Sequence, residues 1–64
     1  MGLKELRESR GLTQQELAER AGLTYQRISA YERGDNDPAN MTLRVAVRLG
    51  KALGIRDLAQ ILDD

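Results

Sequence analysis

The sequence predicts an all-α domain of five short helices, and three of its features support this fold class. Apolar residues recur at spacings of three and four, as they do along the buried face of a helix. Most of the six glycines and the single proline lie between these apolar segments, where helices would end. No stretch of alternating apolar and polar residues indicates a strand. The 64 residues are expected to form one domain, residues 1–64.

The composition argues against several classes of protein. The sequence has no cysteine and no histidine, which removes disulfides, thiol chemistry and the usual zinc ligands. A nucleophile would lack its usual base, and no partner stands at a suggestive spacing from Ser9 or Ser29, so we expect no enzyme activity and no cofactor. No apolar run approaches the ~20 residues that span a bilayer, and the N-terminus lacks the apolar core of a signal peptide. We therefore expect a cytoplasmic protein with no membrane partner.

The first two helices are predicted from their end signals. The first covers residues 3–10 and ends at Gly11. The second begins after Thr13, which forms a capping box with Glu16: the hydroxyl accepts a backbone N–H, and the carboxylate reaches back to the N–H of the cap. Gly22 ends this helix, because a left-handed residue is favourable only without a Cβ.

The third helix follows after a tight turn. Thr24 is its N-cap, and Gly34 ends it. Ile28 and Tyr31 give it a narrow apolar stripe. Two short helices joined by a tight turn form a helix-turn-helix, which is predicted over residues 13–34.

The segment after the third helix is rich in turn formers and precedes two further helices. Pro38 disfavours a helix through it, since the residue before proline avoids the α region. Asn40 is a good N-cap for a fourth helix over residues 41–53, and Gly50 on its apolar face suggests that another backbone approaches there. A fifth helix is expected over residues 56–62. The predicted apolar faces contain Leu43, Ala46, Leu49, Gly50 and Leu53 in the fourth helix, and Leu58, Ile61 and Leu62 in the fifth.

Two motifs within the predicted helix-turn-helix carry a family resemblance. They are Gln14-Gln-Glu-Leu-Ala-Glu-Arg-Ala-Gly-Leu23 and Ile28-Ser-Ala-Tyr-Glu-Arg-Gly34. In these residues the chain resembles the phage repressor and Cro-type family of DNA-binding domains, and the resemblance extends more loosely to residues 3–7 and 49–55. It implies a lambda-repressor-like arrangement of the five helices. It also implies sequence-specific binding to double-stranded DNA, as a transcriptional repressor of prokaryotic or phage type at a two-fold operator.

The third helix is the predicted recognition helix, because its polar side faces away from Ile28 and Tyr31. A helix fits the major groove, where its N-terminal residues meet base edges first. The Gln26 amide can bind adenine through a donor and an acceptor together, and the Ala30 methyl can contact a thymine methyl. The alternative is an ordinary solvent-facing surface helix. The predicted base-contacting residues are Tyr25, Gln26, Ser29 and Ala30.

Six polar residues are predicted to contact the DNA backbone. Arg27 and Arg33 are long cations suited to phosphates. Gln14 lies in the first turn of the second helix, where free backbone N–H groups also attract phosphate. The resemblance implies that Gln14 contacts the backbone and braces the recognition helix. It adds three residues that are equally well explained as turn and cap residues, Asn36, Asn40 and Thr42.

The distribution of charge is the feature that fits this interpretation least. Ten basic residues balance ten acidic ones, so the net charge is zero, whereas DNA-binding domains are commonly basic. Asp35 and Asp37 stand where relatives often have basic residues, and these acids would repel phosphate. Arg7 and Glu32 occupy positions that form a buried interhelix ion pair in some relatives, although their spacing alone does not establish that they meet.

Partners other than DNA remain open at this point. A homodimer is expected to use this domain itself, through the region of helices four and five near Val45, Ile55 or Ile61. An antitoxin that binds a toxin and its own operator is a close variant. The alternative from another class is a protein-interaction domain that keeps the helix-turn-helix fold without binding DNA, which the neutral charge and the acidic loop favour.

Overall fold

Residues 2–61, the part of the chain that the computed structural model describes, contain four α-helices and two short 3-10 helices. The all-α class predicted from the sequence is confirmed. None of the helices within this range has the length and apolar character needed to cross a membrane. The α-helices are α1 (Leu3–Ser9), α2 (Gln14–Ala21), α3 (Tyr25–Arg33) and α4 (Leu43–Leu53), and the 3-10 helices are Pro38–Asn40 and Leu58–Ile61.

The ends of α2 and α3 are fixed by the caps that the sequence predicts. The Thr13 hydroxyl accepts a hydrogen bond from the Glu16 N–H at 3.0 Å, and the Glu16 carboxylate accepts one from the Thr13 N–H at 2.9 Å. These two bonds with Thr13 lower the pKa of Glu16. The Thr24 hydroxyl caps α3 in the same way, accepting from its third backbone N–H at 3.2 Å. Gly22 ends α2 with φ +69°, in the left-handed region that favours glycine.

The hydrophobic core lies where α2, α3 and α4 meet. Leu17 in α2, Ile28 in α3 and Leu49 in α4 are each completely buried, and α2 packs against both α3 and α4. Burial of apolar side chains is the main favourable contribution to folding in a domain of this size. The buried apolar residues are Leu3, Leu6, Leu12, Leu17, Ala18, Ala21, Ile28, Val45, Leu49, Leu53 and Ile61.

The start of α4 differs from the prediction. Asn40 does not cap the helix; it ends the 3-10 helix Pro38–Asn40, and α4 begins two residues later than expected. The cap is Thr42, whose hydroxyl accepts a hydrogen bond from the Val45 N–H at 3.2 Å. Asparagine and threonine are both good caps, and the 3-10 turn that follows proline decides between them.

Leu43 does not lie on the apolar face of α4 as predicted. Its side chain is 74% exposed. The buried face is centred on Val45, Leu49 and Leu53. A helix turns by about 100° per residue, so Leu43 points about 200° away from Val45, toward solvent.

The predicted fifth α-helix is not found among residues 2–61. Leu58–Ile61 forms a 3-10 helix instead, and Leu62 lies outside the described residues. Side chains three apart eclipse each other in a 3-10 helix, which directs Leu58 and the buried Ile61 onto the core together. A Cβ on Gly50 would collide with Cδ2 of Leu58 and lie 3.6 Å from the Ile55 carbonyl oxygen. The close approach predicted at Gly50 is therefore made chiefly by a side chain.

Candidate nucleic-acid interface

Three helices meet at the carboxylate of Glu32, in a set of polar contacts that we call the Glu32 junction. Arg7 in α1 donates through Nε to Glu32 Oε2 at 2.7 Å and through Nη2 to Oε1 at 3.0 Å. Gln14 in α2 donates through Nε2 to Oε1 at 3.0 Å, and Arg7 Nη1 donates to the Leu12 carbonyl at 2.7 Å. The hydrogen bond to Glu32 raises the pKa of Arg7. The ion pair that the spacing alone left undecided is thus formed.

The junction fixes the orientation of Gln14. Its side chain is half-buried at the first turn of α2, and one N–H of its amide is engaged by Glu32. The other N–H of the amide remains a donor, beside the first backbone N–H groups of the helix. Glu32 therefore connects α3, the predicted recognition helix, to the predicted phosphate contact at α2.

The outward face of α3 carries residues spaced at i, i+4 and i+7. These are Gln26, Ala30 and Arg33, which share one side of a helix because of its period of 3.6. Gln26 is exposed, and Ala30 is partly buried. Tyr25, at the first position of α3, is 46% exposed. The N-terminal half of the helix thus presents Tyr25 and Gln26 to solvent.

Ser29 lies elsewhere than the prediction placed it. Its residue surface is only 6% exposed, and its hydroxyl accepts a hydrogen bond from Arg33 Nη1 at 2.5 Å. Ser29 is about 100° around the helix from the fully buried Ile28, which puts it at the edge of the core rather than on the outward face. The structure gives Ser29 the role of a support for Arg33.

Arg33 is bound within the chain. Besides Ser29, it contacts Asp35, with Nε and Nη2 lying 3.0 Å and 2.9 Å from the same Oδ2 atom. Both side chains are more than half exposed, at 61% and 63%. The negative charge of Asp35, which looked unfavourable for DNA binding in the sequence, is therefore compensated locally. The same contact restrains a residue predicted to bind phosphate.

Arg27 lies at the rim of two surface clefts that gather most of the other predicted phosphate contacts. The first, of about 500 Å³, joins Arg27 to Asn36 and Asn40 in the loop after α3. Asp35 and Asp37 line the same cleft. Three predicted residues thus come together, but beside two acids.

The second cleft opens between the N-terminal ends of α3 and α4 and measures about 620 Å³. It places Arg27 near Thr42, and it adds two arginines of α4, Arg44 and Arg48, which were not among the predicted phosphate contacts. Their spacing of four was a visible signal in the sequence, whereas their position beside α3 depends on the tertiary fold. This α3–α4 cleft is lined by Gly22, Leu23, Thr24, Arg27, Thr42, Arg44, Val45 and Arg48.

Comparison with known proteins agrees with this geometry. A family model described as helix-turn-helix matches residues 3–61. The chain is 44% identical over 59 residues to an uncharacterized HTH-type transcriptional regulator of Methanothermobacter thermautotrophicus, a match covering 92% of this chain and 81% of the relative. It is 42% identical over 50 residues to the uncharacterized HTH-type transcriptional regulator y4dJ of Sinorhizobium fredii, covering 78% of this chain and 61% of that relative. No solved structure matches the chain.

Proposed function

The chain belongs to the helix-turn-helix family and is a DNA-binding regulator of transcription, and we propose that it acts as a sequence-specific repressor of prokaryotic or phage type. The observation that carries this proposal is the exposed N-terminal half of α3, in a helix whose last turn is held to α1 and α2 by the Glu32 junction. We place α3 in the major groove of double-stranded DNA, in a lambda-repressor-like arrangement. The site of action is then the cytoplasm, where the DNA of a prokaryotic cell or of an infecting phage lies.

Base recognition is assigned to the outward face of α3. Gln26 is exposed one residue into the helix, where its amide can offer a donor and an acceptor to the major-groove edge of adenine. The small side chain of Ala30, one turn further on, permits close approach and offers a methyl group to thymine. Tyr25 supplies a hydroxyl and an aromatic ring at the entry of the helix. Ser29 is omitted because its hydroxyl is buried against Arg33.

Backbone contacts are assigned to both flanks of α3. Gln14 is pre-oriented by Glu32, which reduces the entropy lost when it binds a phosphate. Arg27, exposed at the rim of both clefts, supplies a cation. Thr42 uses its oxygen as the cap acceptor of α4, and its hydroxyl proton is still available to a phosphate oxygen. Asn36 and Asn40 are the weaker candidates, because acidic residues share their cleft.

Dimerisation is assigned to the α4 and C-terminal region. Val45 and Ile61, named from the sequence, are buried in the core, whereas Leu43 is 74% exposed beside an apolar cleft of about 390 Å³. If two copies met at this patch, Leu43 of each subunit would be buried, since a two-fold interface uses the same patch on both subunits. Their recognition helices would then read half-sites about 34 Å apart. The cleft is lined by Pro38, Met41, Leu43, Ala46, Leu58, Ala59 and Ile61.

The test of this function compares Gln26→Ala with Arg27→Ala on a site selected from a random duplex library. Gln26→Ala should weaken binding to the selected site by about 1–3 kcal/mol and relax the preference at one base pair of each half-site. Arg27→Ala should weaken all sequences similarly and reduce the slope of log affinity against log salt by about one per subunit.

The two variants serve as controls for each other, since both alter exposed residues in the first turn of α3. If Gln26→Ala leaves base preference unchanged, the recognition role of Gln26 is wrong. If the wild type binds no duplex DNA at low salt, a protein-interaction role replaces DNA binding.

A further inference from the structure

The α3–α4 cleft concentrates positive charge without any acid of its own. Three arginines line it, Arg27, Arg44 and Arg48, and no aspartate or glutamate is among its lining residues. The cleft beside the loop, by contrast, contains Asp35 and Asp37. In a chain of zero net charge, such a segregated group produces a local field that the overall balance hides.

The side chains of these three arginines are uncommitted in the described part of the chain. Within residues 2–61, none of the three makes an ion pair or a side-chain hydrogen bond. Arg7 and Arg33, by comparison, are both held by carboxylates. Five N–H donors on each guanidinium therefore remain available to an external acceptor.

The placement of Arg44 and Arg48 directs both side chains to the same side of α4. They are exposed and four residues apart, a spacing at which like charges repel each other. Nη1 of Arg48 lies 3.8 Å from the point where a Cβ of Gly22 would stand, so its guanidinium reaches the turn between α2 and α3. An anion bound between the two arginines would relieve their repulsion.

The helix ends that border the cleft strengthen its preference for anions. Thr24 and Thr42, the N-caps of α3 and α4, both line it. Helix N-termini carry partial positive charge and point backbone N–H groups outward. Each cap hydroxyl accepts from the third backbone N–H of its helix, so the earlier N–H groups of both helices remain unfilled.

From these observations we propose that Arg44 and Arg48 clamp backbone phosphates of the same duplex that α3 reads, with Arg27 completing the site. The inference rests on the proposed function, because the phosphate is that of bound DNA. Arginine suits the task, since its planar fork binds phosphate oxygens through two parallel hydrogen bonds. The clamp holds the duplex without reading sequence, because phosphates carry no base identity. The cleft thus adds backbone affinity to a protein of zero net charge.

The experiment removes the two charges and keeps a polar side chain at each position, as Arg44→Gln with Arg48→Gln. The matched control is Lys51→Gln with Arg56→Gln, which removes two exposed cations from α4 and the segment after it, beside a different cleft. Both double variants therefore have the same net charge. Each neutralised phosphate contributes about −0.9 to the slope of log affinity against log salt. For the Arg44→Gln, Arg48→Gln double variant, which we call the clamp variant, this slope should become shallower by about two per subunit. The control should keep the wild-type slope.

Two further measurements identify the phosphates. A single neutral methylphosphonate placed in the duplex at a clamped phosphate should lower the affinity of the wild type. The same replacement should leave the affinity of the clamp variant unchanged. Arg44→Lys with Arg48→Lys should restore the salt slope, because the charges return. Base preference should be the same in all variants, and thermal unfolding should verify that each variant is folded.

Failure of the clamp and failure of DNA binding give different results. If the wild type binds duplex DNA but the clamp variant and the control have equal slopes, the clamp is disproved and the proposed function stands. If the wild type binds no duplex DNA, both proposals fall together.

Discussion

The Glu32 junction and the α3–α4 cleft hold arginines in opposite ways. At the junction, the side chains of Arg7 and Glu32 are only 12% and 4% exposed, and the guanidinium is surrounded by acceptors of the chain itself. In the cleft, Arg44 and Arg48 are exposed and have no acceptor among the described residues. The first region uses charge to hold helices together, and the second leaves charge free for a ligand. The net charge of zero, which comes from counting acidic and basic residues, does not distinguish these two uses of arginine.

The pair of Arg33 and Asp35 lies between these extremes. Its carboxylate contact of 2.9 Å is only slightly longer than the 2.7 Å contact at the junction, but both partners are largely exposed. Exposed ion pairs are screened by water and salt and contribute about 0–1 kcal/mol. Burial, rather than distance, therefore determines how much each pair contributes to folding.

The strongest test of this comparison is Glu32→Gln. It leaves the guanidinium of Arg7 largely buried without its counter-charge and should lower the free energy of unfolding by about 3–5 kcal/mol. Asp35→Asn is the matched control, because it neutralises the exposed carboxylate, and it should cost less than about 1 kcal/mol. Denaturant unfolding measures both. Equal losses would contradict the distinction between a buried and an exposed pair.

The second test separates the charged junction from the apolar core beneath it. Leu17→Ala removes a side chain that is completely buried and should cost about 2–5 kcal/mol. Leu43→Ala is the control with the same chemical change at a residue that is 74% exposed, and it should alter monomer stability by less than about 0.5 kcal/mol. A loss below about 0.5 kcal/mol for Leu17→Ala in denaturant melts would show that Leu17 is not part of the core.

A smaller effect is expected at the capping box of α2, an exposed and strictly local set of contacts. Thr13→Ala should cost about 1 kcal/mol, since it leaves a backbone N–H of the helix without its side-chain acceptor. Unfolding at neutral pH measures this loss. A variant as stable as the wild type would show that water replaces the cap at no cost.

The smallest effect concerns pH and Glu16. Because the bonds with Thr13 lower the pKa of Glu16 below its usual value of 4.5, the ionised carboxylate stabilises the folded state above that pH. The stabilisation disappears as the pH falls through the lowered pKa. Glu16→Gln should therefore be slightly less stable than the wild type at neutral pH, and the two melting temperatures should converge in acid. A difference that stays constant down to low pH would contradict the linkage.

Local signals explain why the sequence predicted the helix-turn-helix well. The ends of α2 and α3 are set by residues within four positions of each other, such as Thr13 with Glu16 and Gly22 at the end of the helix. Capping and left-handed glycine depend on backbone geometry that the neighbouring residues determine. The start of α4 was less predictable, because Asn40 and Thr42 are both competent caps and the 3-10 turn after Pro38 favours the second.

Nonlocal contacts explain what the sequence did not predict. The burial of Ser29 and its bond to Arg33 depend on how the edge of α3 meets the core. The approach of Arg48 to Gly22 joins residues that are far apart in the chain. The family resemblance suggested that Arg7 and Glu32 pair. The two residues are 25 positions apart in the sequence, so their spacing alone did not establish the contact. The proposed base and phosphate contacts remain predictions.

The internal pairing of Arg7 and Arg33 has a consequence for how the protein finds its operator in a genome. Nonspecific affinity for DNA arises almost entirely from cations that neutralise phosphates. Two arginines committed to carboxylates of the same chain contribute little to it. A chromosome offers about 10⁶ or more competing nonspecific sites. Most copies of a strongly basic domain would be bound at these sites. With fewer free cations, we expect nonspecific DNA to hold a smaller share of this regulator than of a strongly basic domain.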